Sequence, residues 1–290
     1  MRVLVTGAKG QLGVELLDVL RREHDVVGLD LPELDITKPE ASQMIAGVRP
    51  AWVIHAAAWT DVDGCERDPA RALAVNGEGT RRVAEACRVA GAGMVYLSTD
   101  YVFDGRKGVP YVETDPVSPL SAYARSKVAG EEAVRAAAPR WAIVRTAWLF
   151  GVSGKNFVKT IVEKAAAGGP LRVVDDQVGS PTYARDLADA IAQLVSRGLT
   201  GIYHVTNAGS CSWYAFTRAI VEEAGLAHVA ATPMTTAELG RPAPRPALSV
   251  LANHAWVAAG MRPLRPWREA LSAMLAEWKR TDAFPSIRRL

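Results

Sequence analysis

The sequence predicts an α/β protein in which a parallel β-sheet is covered by helices on both faces. Short, continuously apolar runs alternate with amphipathic helical stretches through the first 150 residues. This alternation is typical of parallel sheets, and strands that lack a polar face indicate burial on both sides. The chain has 290 residues, 49% of them hydrophobic and 22% charged. That length and composition suit a globular protein with one large domain or two lobes.

The elements can be placed in order along the chain. Strands are expected at 3–6, 26–29, 52–55, 94–98 and 142–145, with helices near 11–23, 69–90 and 122–138. After residue 150 the pattern predicts helices near 156–167, 183–197, 213–225 and 266–280, and a strand near 201–206. The run 240–246 contains too many prolines for a helix or a central strand.

A glycine-rich turn joins the first predicted strand to the first helix. Gly7, Gly10 and Gly13 have the spacing G-x-x-G-x-x-G, and such glycines let backbone N–H groups approach a pyrophosphate at a helix N-terminus. A tight turn without a ligand is the alternative, but the strand–turn–helix setting favours a Rossmann-type dinucleotide site. We therefore expect a dinucleotide-binding domain over 1–150, completed by parts of 170–200. Residues 151–290 would then form mainly a smaller, discontinuous, mixed α/β substrate lobe.

Two further features bear on the dinucleotide. Asp30 ends the second predicted strand, where a carboxylate typically binds a ribose hydroxyl and favours NADH over NADPH. The alternative is that Asp30 caps a turn, and Lys9 could offset the preference by meeting a 2′-phosphate. The small residues Ala56, Ala57 and Ala58 follow the strand at 52–55. They would either let the dinucleotide lie across the strand ends or simply pack closely.

Tyr123 and Lys127 are the candidate catalytic pair, with Thr99 upstream at a strand end. Residues four apart on a helix share a face, with Cβ atoms about 5–6 Å apart, so the ammonium is expected to lower the tyrosine pKa. Such a tyrosine can exchange a proton with a carbonyl or alcohol oxygen. Thr99 would lie in the crevice beyond the strand ends and bind the substrate carbonyl. Ser98 competes for that role, although strand alternation turns the two to opposite faces.

Together these motifs resemble the extended short-chain dehydrogenase/reductase superfamily and, within it, the dTDP-4-dehydrorhamnose reductase family. The runs 98–105, 146–151, 156–158, 176–182 and 245–249 are similar to that family, so the likeness spans nearly the whole chain. The resemblance implies reduction of the C4 keto group of dTDP-4-dehydro-L-rhamnose by NADPH or NADH, the last step of dTDP-rhamnose biosynthesis.

The resemblance also implies roles for individual residues. Tyr123 would be the acid, Lys127 would also hold the nicotinamide ribose, and Thr99 would position the carbonyl. Asp100 and Trp148 would contact the substrate, although Trp148 also suits an interface between lobes. Besides Tyr123 and Lys127, the implied cofactor positions are those of the glycine turn and of three later stretches: Gly7, Gly10, Gln11, Leu12, Gly13, Asp30, Asp35, Ile36, Ala56, Ala57 and Ala58. Arg245 either binds the substrate diphosphate with its planar guanidinium or pins the proline-rich loop.

Some members of the family form a dimer bridged by Mg²⁺ through glutamates. Glu15 matches one of these positions, but Arg185 stands where another carboxylate is expected. Because a cation would repel the metal, a Mg²⁺ bridge is not expected, and both a monomer and a homodimer stay open. No cysteine or histidine spacing suggests a metal site.

Several other partners are disfavoured. The N-terminus lacks a signal-peptide pattern, no apolar run approaches the roughly 18–20 residues that span a bilayer, and three scattered cysteines do not suggest disulfides. A cytoplasmic protein without a membrane partner is expected. The net charge is only +3, and the basic cluster Lys279, Arg280, Arg288 and Arg289 suits a solvated helix end better than a nucleic-acid patch.

Two other functions stay open. A nucleotide-sugar 4-epimerase or 4,6-dehydratase would retain NAD, but a dehydratase typically needs two adjacent carboxylates after the catalytic threonine, where Asp100 and Tyr101 supply one. A non-catalytic regulatory subunit, resembling that of methionine adenosyltransferase, would keep the fold alone. The full set of Thr99, Tyr123 and Lys127 favours an active enzyme.

Overall fold

A computed structural model describes residues 1–285, so Arg288 and Arg289 of the basic cluster lie outside the described residues. The first half of the chain contains, in order, β1 (Arg2–Thr6), α1 (Gln11–Leu20), β2 (Asp25–Leu29), α2 (Glu40–Gly47), β3 (Trp52–His55), α3 (Val62–Arg67), α4 (Pro69–Ala72), α5 (Thr80–Ala90), β4 (Gly93–Thr99), α6 (Ala122–Ala137) and β5 (Arg140–Thr146). A π-helical segment, Leu73–Gly79, joins α4 to α5, and a 3₁₀ turn, Asp100–Val102, follows β4.

The second half begins with two short strands and ends with a helix. In order it contains β6 (Leu149–Phe150), α7 (Phe157–Ala166), β7 (Leu171–Val174), β8 (Val178–Gly179), β9 (Thr182–Tyr183), α8 (Ala184–Arg197), β10 (Gly201–His204), β11 (Cys211–Ser212), α9 (Trp213–Ala224), β12 (Ala231–Met234), α10 (Thr236–Leu239), α11 (His254–Ala258) and α12 (Trp267–Trp278). No helix in the described part of the chain is both long enough and apolar enough to cross a membrane.

Six parallel strands form the central sheet in the order β2-β1-β3-β4-β5-β10. The strand order reverses direction between β1 and β3, which confirms the predicted doubly wound, Rossmann-type α/β fold. Val3 and Val5 of β1 pack into a core shared with α1 and α8. Leu4, between them, packs into a second core with α2 and α5. The strands are continuously apolar because side chains alternate between two buried faces.

A second, smaller body follows β5. Its helices α7, α9 and α12 pack around the buried rings of Phe216 and Trp278, beside the two-stranded sheets β7-β12, β6-β9 and β8-β11. However, α8 and β10 return to the central sheet, where α8 packs on α1. The division near residue 150, with later residues completing the first domain, remains our proposal.

The predicted helices and strands agree with the observed ones to within a few residues, with one exception. The helix expected over 69–90 contains the π segment, where glycines allow close packing: a Cβ at Gly79 would lie 2.9 Å from the Ile36 side chain. The elements α2, α3, α10, α11, β7 and β12 and the two-residue strands were not predicted, because segments this short show no clear periodicity. Residues 240–246 form neither helix nor strand, as their prolines predict.

Candidate active site

The carboxyl ends of β1, β3 and β4 open into one long cleft. It consists of two cavities, of about 400 Å³ and about 840 Å³, which share Gly7, Gly10, Ala56 and Ala58 as lining residues. A parallel sheet places its ligands at this edge. The cleft therefore lies where the sequence predicts it.

All the predicted cofactor residues line one or both cavities. The smaller cavity is lined by Gln11, Leu12, Gly13, Tyr123 and Lys127, and the larger one by Asp30, Asp35, Ile36 and Ala57. The structure thus brings together positions from five separate stretches of the chain. Their contacts with a dinucleotide remain a prediction.

The glycine turn requires glycine on steric grounds. Gly7 has a positive φ of 70°, and a Cβ there would lie 2.6 Å from the Ala57 backbone nitrogen. A Cβ at Gly13 would lie 2.1 Å from the Gly7 carbonyl oxygen. The turn therefore packs tightly against the alanine run and leaves the N-terminus of α1 facing the cleft, a geometry that suits a pyrophosphate.

Asp30 faces the larger cavity but is also bound to the glycine turn. Its carboxylate accepts hydrogen bonds from the backbone N–H groups of Lys9, at 2.8 Å, and Leu31, at 2.7 Å. The Lys9 ammonium donates to the Leu31 carbonyl and pairs with Glu33 at 2.8 Å. The turn-capping role is thus present, and Lys9 already has an anionic partner.

The catalytic candidates meet in the smaller cavity. Thr99 is the last residue of β4, and its Oγ1 donates to Asp100 Oδ1 at 3.0 Å. The Ser121 hydroxyl caps α6 by accepting the Ala124 N–H at 3.2 Å, which places Tyr123 in the first helical turn and Lys127 one turn later. All three candidate side chains are buried and line the cavity.

The expectation that the Tyr123 pKa is lowered toward neutral pH is wrong. Burial raises the pKa of Tyr123 well above its usual value, and interaction with the Thr99 hydroxyl offsets only part of the increase. Lys127 Nζ donates to the Leu97 carbonyl at 2.7 Å and lies 4.2 Å from the Tyr96 ring centroid. Burial lowers the pKa of Lys127 itself to about 7. Desolvation of both groups, rather than their mutual attraction, dominates here.

Ser98 also lines the smaller cavity, but its hydroxyl is already bound to another side chain. Its Oγ donates to Glu131 at 2.7 Å, and Glu131 forms a two-point ion pair with Arg145, each contact at 2.8 Å. Glu131 is fully buried and Arg145 nearly so. This network joins β4, β5 and α6, the elements that position Thr99, Tyr123 and Lys127.

Asp100 contributes a buried carboxyl group to the smaller cavity. Only 2% of the residue is exposed, and Oδ2 has no partner within hydrogen-bond distance among the described residues. Burial raises the pKa of Asp100 to about 7, despite the opposing effect of the Ser249 and Thr99 hydroxyls. This carboxyl therefore titrates close to neutral pH.

Of the two remaining predicted substrate residues, the structure brings only Trp148 to the cavity. The indole of Trp148 stacks on Trp213 with ring centroids 3.5 Å apart, and its backbone has a positive φ of 46°, a strained conformation for a bulky residue. Arg245 lines neither cavity, because it pairs with Asp63 at 3.1 Å and donates to the Ala243 carbonyl at 2.9 Å. Here Arg245 pins the proline-rich loop.

Several cavity residues were not predicted. They include Thr60, Thr146, Lys155 and Asn156 in the smaller cavity and Trp59 and Arg71 in the larger one. Thr146 ends β5, so the rule that ligands gather at strand ends would have found it. Lys155 and Arg71 follow no sequence pattern, because only the folding of their segments brings them to the cleft.

Glu15 and Arg185, the two residues considered for a Mg²⁺ bridge, form an ion pair with each other. Arg185 pairs with Glu15, with Nε 3.1 Å from Oε2, and also contacts Asp18. Burial raises the pKa of Glu15, and Arg185 counteracts that increase. No group of three or more metal-binding side chains is found within residues 1–285. These residues do not fit a carboxylate-bridged metal.

The doubly wound sheet, the glycine turn and the Thr99, Tyr123 and Lys127 set define an oxidoreductase of the short-chain dehydrogenase/reductase type. A family model described as "RmlD substrate binding domain" matches residues 1–280. The chain belongs to this family.

Individual relatives support this family assignment. The chain is 46% identical over 279 residues to "Spore coat polysaccharide biosynthesis protein SpsK" of Bacillus subtilis, covering 95% of this chain and 97% of the relative. It is 45% identical over 282 residues to "dTDP-4-dehydrorhamnose reductase" of Mycobacterium tuberculosis, covering 95% and 92%. The crystal structure of a Bacillus anthracis dTDP-4-dehydrorhamnose reductase in complex with NADP has a TM-score of 0.93 at 40% identity, covering 95% and 99%.

Proposed function

We propose that this protein reduces the C4 keto group of dTDP-4-dehydro-L-rhamnose with NADPH or NADH and so forms dTDP-L-rhamnose, the last step of dTDP-rhamnose biosynthesis. One observation carries the proposal: Thr99, Tyr123 and Lys127 converge on a cavity that also contains the glycine turn. The identity of 45% to the reductase of Mycobacterium tuberculosis supports the substrate.

The bound nicotinamide supplies the hydride that C4 accepts. The Tyr123 phenol keeps its proton at neutral pH, because burial raises its pKa. It therefore donates only to an oxygen that becomes strongly basic, as a carbonyl oxygen does while its carbon accepts hydride. The Thr99 hydroxyl would hold that oxygen beside Tyr123, and Lys127 would hold the nicotinamide ribose and balance the charge that Tyr123 acquires.

Two features support a reductase over its rivals. The 3₁₀ turn after Thr99 presents one carboxyl, Asp100, and then the partly buried phenol of Tyr101, whereas a dehydratase typically needs two adjacent carboxylates. A regulatory subunit does not need the catalytic set, yet Thr99, Tyr123 and Lys127 all line the cleft. An epimerase would bind NAD permanently and release no oxidised cofactor.

The test is oxidation of NADPH and NADH by the purified protein with dTDP-4-dehydro-L-rhamnose. Wild type is expected to turn over repeatedly, and Tyr123→Phe to lose about 10²–10⁴-fold in kcat, the usual contribution of a general acid. Tyr214→Phe, which removes a phenol outside both cavities, is the matched control. Undiminished turnover by Tyr123→Phe would overturn the assignment of the acid, and cofactor binding without turnover by wild type would favour the regulatory subunit.

The cellular setting is part of the same proposal. Cys65, Cys87 and Cys211 are free thiols, as expected in a reducing compartment, and we place the reaction in the cytoplasm. The protein would act as a monomer or a homodimer, which light scattering of the purified protein distinguishes.

A further inference from the structure

Lys155 lies on the loop 151–156, between β6 and α7, which passes over the start of α1. A Cβ at Gly154 would lie 3.4 Å from the Gln11 Cβ and 3.7 Å from the Gln11 backbone nitrogen. A Cβ at Gly151 would lie 3.6 Å from the Gln11 Cγ. Because Gln11 is the first residue of α1, this loop lies against the helix end that the glycine turn leaves facing the cleft.

The loop is held in shape by its own hydrogen bonds. Asn156 Nδ2 donates to the Gly151 carbonyl at 2.7 Å, while its Oδ1 accepts the Lys159 N–H at 3.1 Å and caps α7. The Lys159 ammonium donates to the Val152 carbonyl at 3.1 Å. These bonds fix both ends of the loop, so the position of the Lys155 backbone beside the smaller cavity is defined.

Lys155 is the cation available at the mouth of that cavity. Lys127, the other lysine in the lining, is buried and bound to the Leu97 carbonyl. Within residues 1–285, the Lys155 ammonium makes no hydrogen bond or ion pair, and the residue is exposed.

We infer that Lys155 binds a diphosphate group at the junction of the glycine turn and the catalytic cavity. A diphosphate is the anion that fits, because the N–H groups at the start of α1 and a flexible ammonium would contact it from two sides. The inference rests on the proposed function, in which both ligands, the dinucleotide and the nucleotide sugar, carry a diphosphate. Lys155 would add affinity without touching the reacting atoms.

The experiment measures binding rather than turnover. Titration calorimetry gives the Kd of wild type, Lys155→Ala and Lys155→Arg for NADP⁺, and then for dTDP with NADP⁺ saturating. Lys155→Ala is expected to raise the Kd of one ligand about threefold to tenfold. A loss of this size lies between the contribution of an exposed ion pair and that of a buried charged hydrogen bond. Its Kd should also depend less on salt, since one screened contact is lost. Lys155→Arg should stay within about twofold of wild type.

Lys164→Ala is the matched control, because Lys164 is an exposed lysine on α7 that lines neither cavity. A higher Kd for NADP⁺ assigns Lys155 to the dinucleotide, and a higher Kd for dTDP assigns it to the nucleotide sugar. Unchanged Kd values for both ligands, or equal losses in Lys164→Ala, would overturn the inference. If wild type binds NADP⁺ but never reduces the keto sugar, the proposed function fails while the Lys155 comparison still stands.

Discussion

Asp100→Asn should gain stability relative to wild type as the pH rises from 5 to 8. The Asp100 carboxyl is 2% exposed, and burial raises its pKa from 3.8 to about 7. Ionisation of this carboxyl therefore favours the unfolded chain. The resulting loss of stability begins as the pH rises above the unfolded pKa and is complete once the pH passes the folded pKa.

The size of this change in stability follows from measuring unfolding at pH 5 and at pH 8. Each pH unit between pH 5 and the folded pKa of about 7 costs wild type about 1.4 kcal/mol. Asp100→Asn removes this titration and preserves an acceptor for the Thr99 hydroxyl. The free energy of unfolding of the variant, relative to wild type, should thus rise by about 3 kcal/mol between pH 5 and pH 8.

Urea unfolding at both pH values measures this difference, and any cost of the new amide that is independent of pH cancels. Asp115→Asn is the control, since its hydrogen bond with Lys107 holds the pKa of Asp115 below its usual range and its titration is complete below pH 5. Its effect should be the same at pH 5 and pH 8. If Asp100→Asn also shows no change between the two, Asp100 does not titrate near neutrality and the reasoning is refuted.

Three further substitutions test the rest of the account. Gly13→Ala should abolish NADPH binding in a fluorescence titration, because its Cβ would lie 2.1 Å from the Gly7 carbonyl; Gly169→Ala, with no atom within 4 Å of its Cβ, should bind normally. Glu131→Gln should lower the free energy of unfolding by about 3–5 kcal/mol in urea, because Arg145 is left buried and unpaired; a loss below about 1 kcal/mol would contradict the importance of that pair. Asp30→Ala should raise the kcat/KM ratio of NADPH to NADH by about tenfold, as one opposing charge is removed; an unchanged ratio would leave Asp30 with its turn-capping role alone.

The fold was predictable because its signal is local and repeated. Val3, Leu4 and Val5 are all fully buried, and only a strand covered on both faces makes every position apolar. The glycine turn was predictable for a similar reason, since Gly7 and Gly13 are required by contacts within and beside one turn. Short strands such as β6 contain too few residues for a repeated apolar pattern, and they form only because they pair with another strand.

The electrostatics of the site were not predictable from spacing. The interval between Tyr123 and Lys127 suggested mutual attraction, but burial, which is set by the whole fold, has the larger effect on each pKa. Arg245 was left between two roles because its partner Asp63 lies 182 residues away in the chain. Lys155 was missed for the same reason, since only the path of its loop brings it over α1.

The most direct test of the central claim follows the hydride itself. Wild-type protein is incubated with dTDP-4-dehydro-L-rhamnose and NADPH that carries deuterium at the transferable position, and the sugar product is examined by NMR. The account predicts dTDP-L-rhamnose with deuterium at C4 and one equivalent of NADP⁺ released for each product. A product without deuterium at C4, or an altered sugar formed without net oxidation of NADPH, would contradict a reductase that protonates the C4 oxygen through Tyr123.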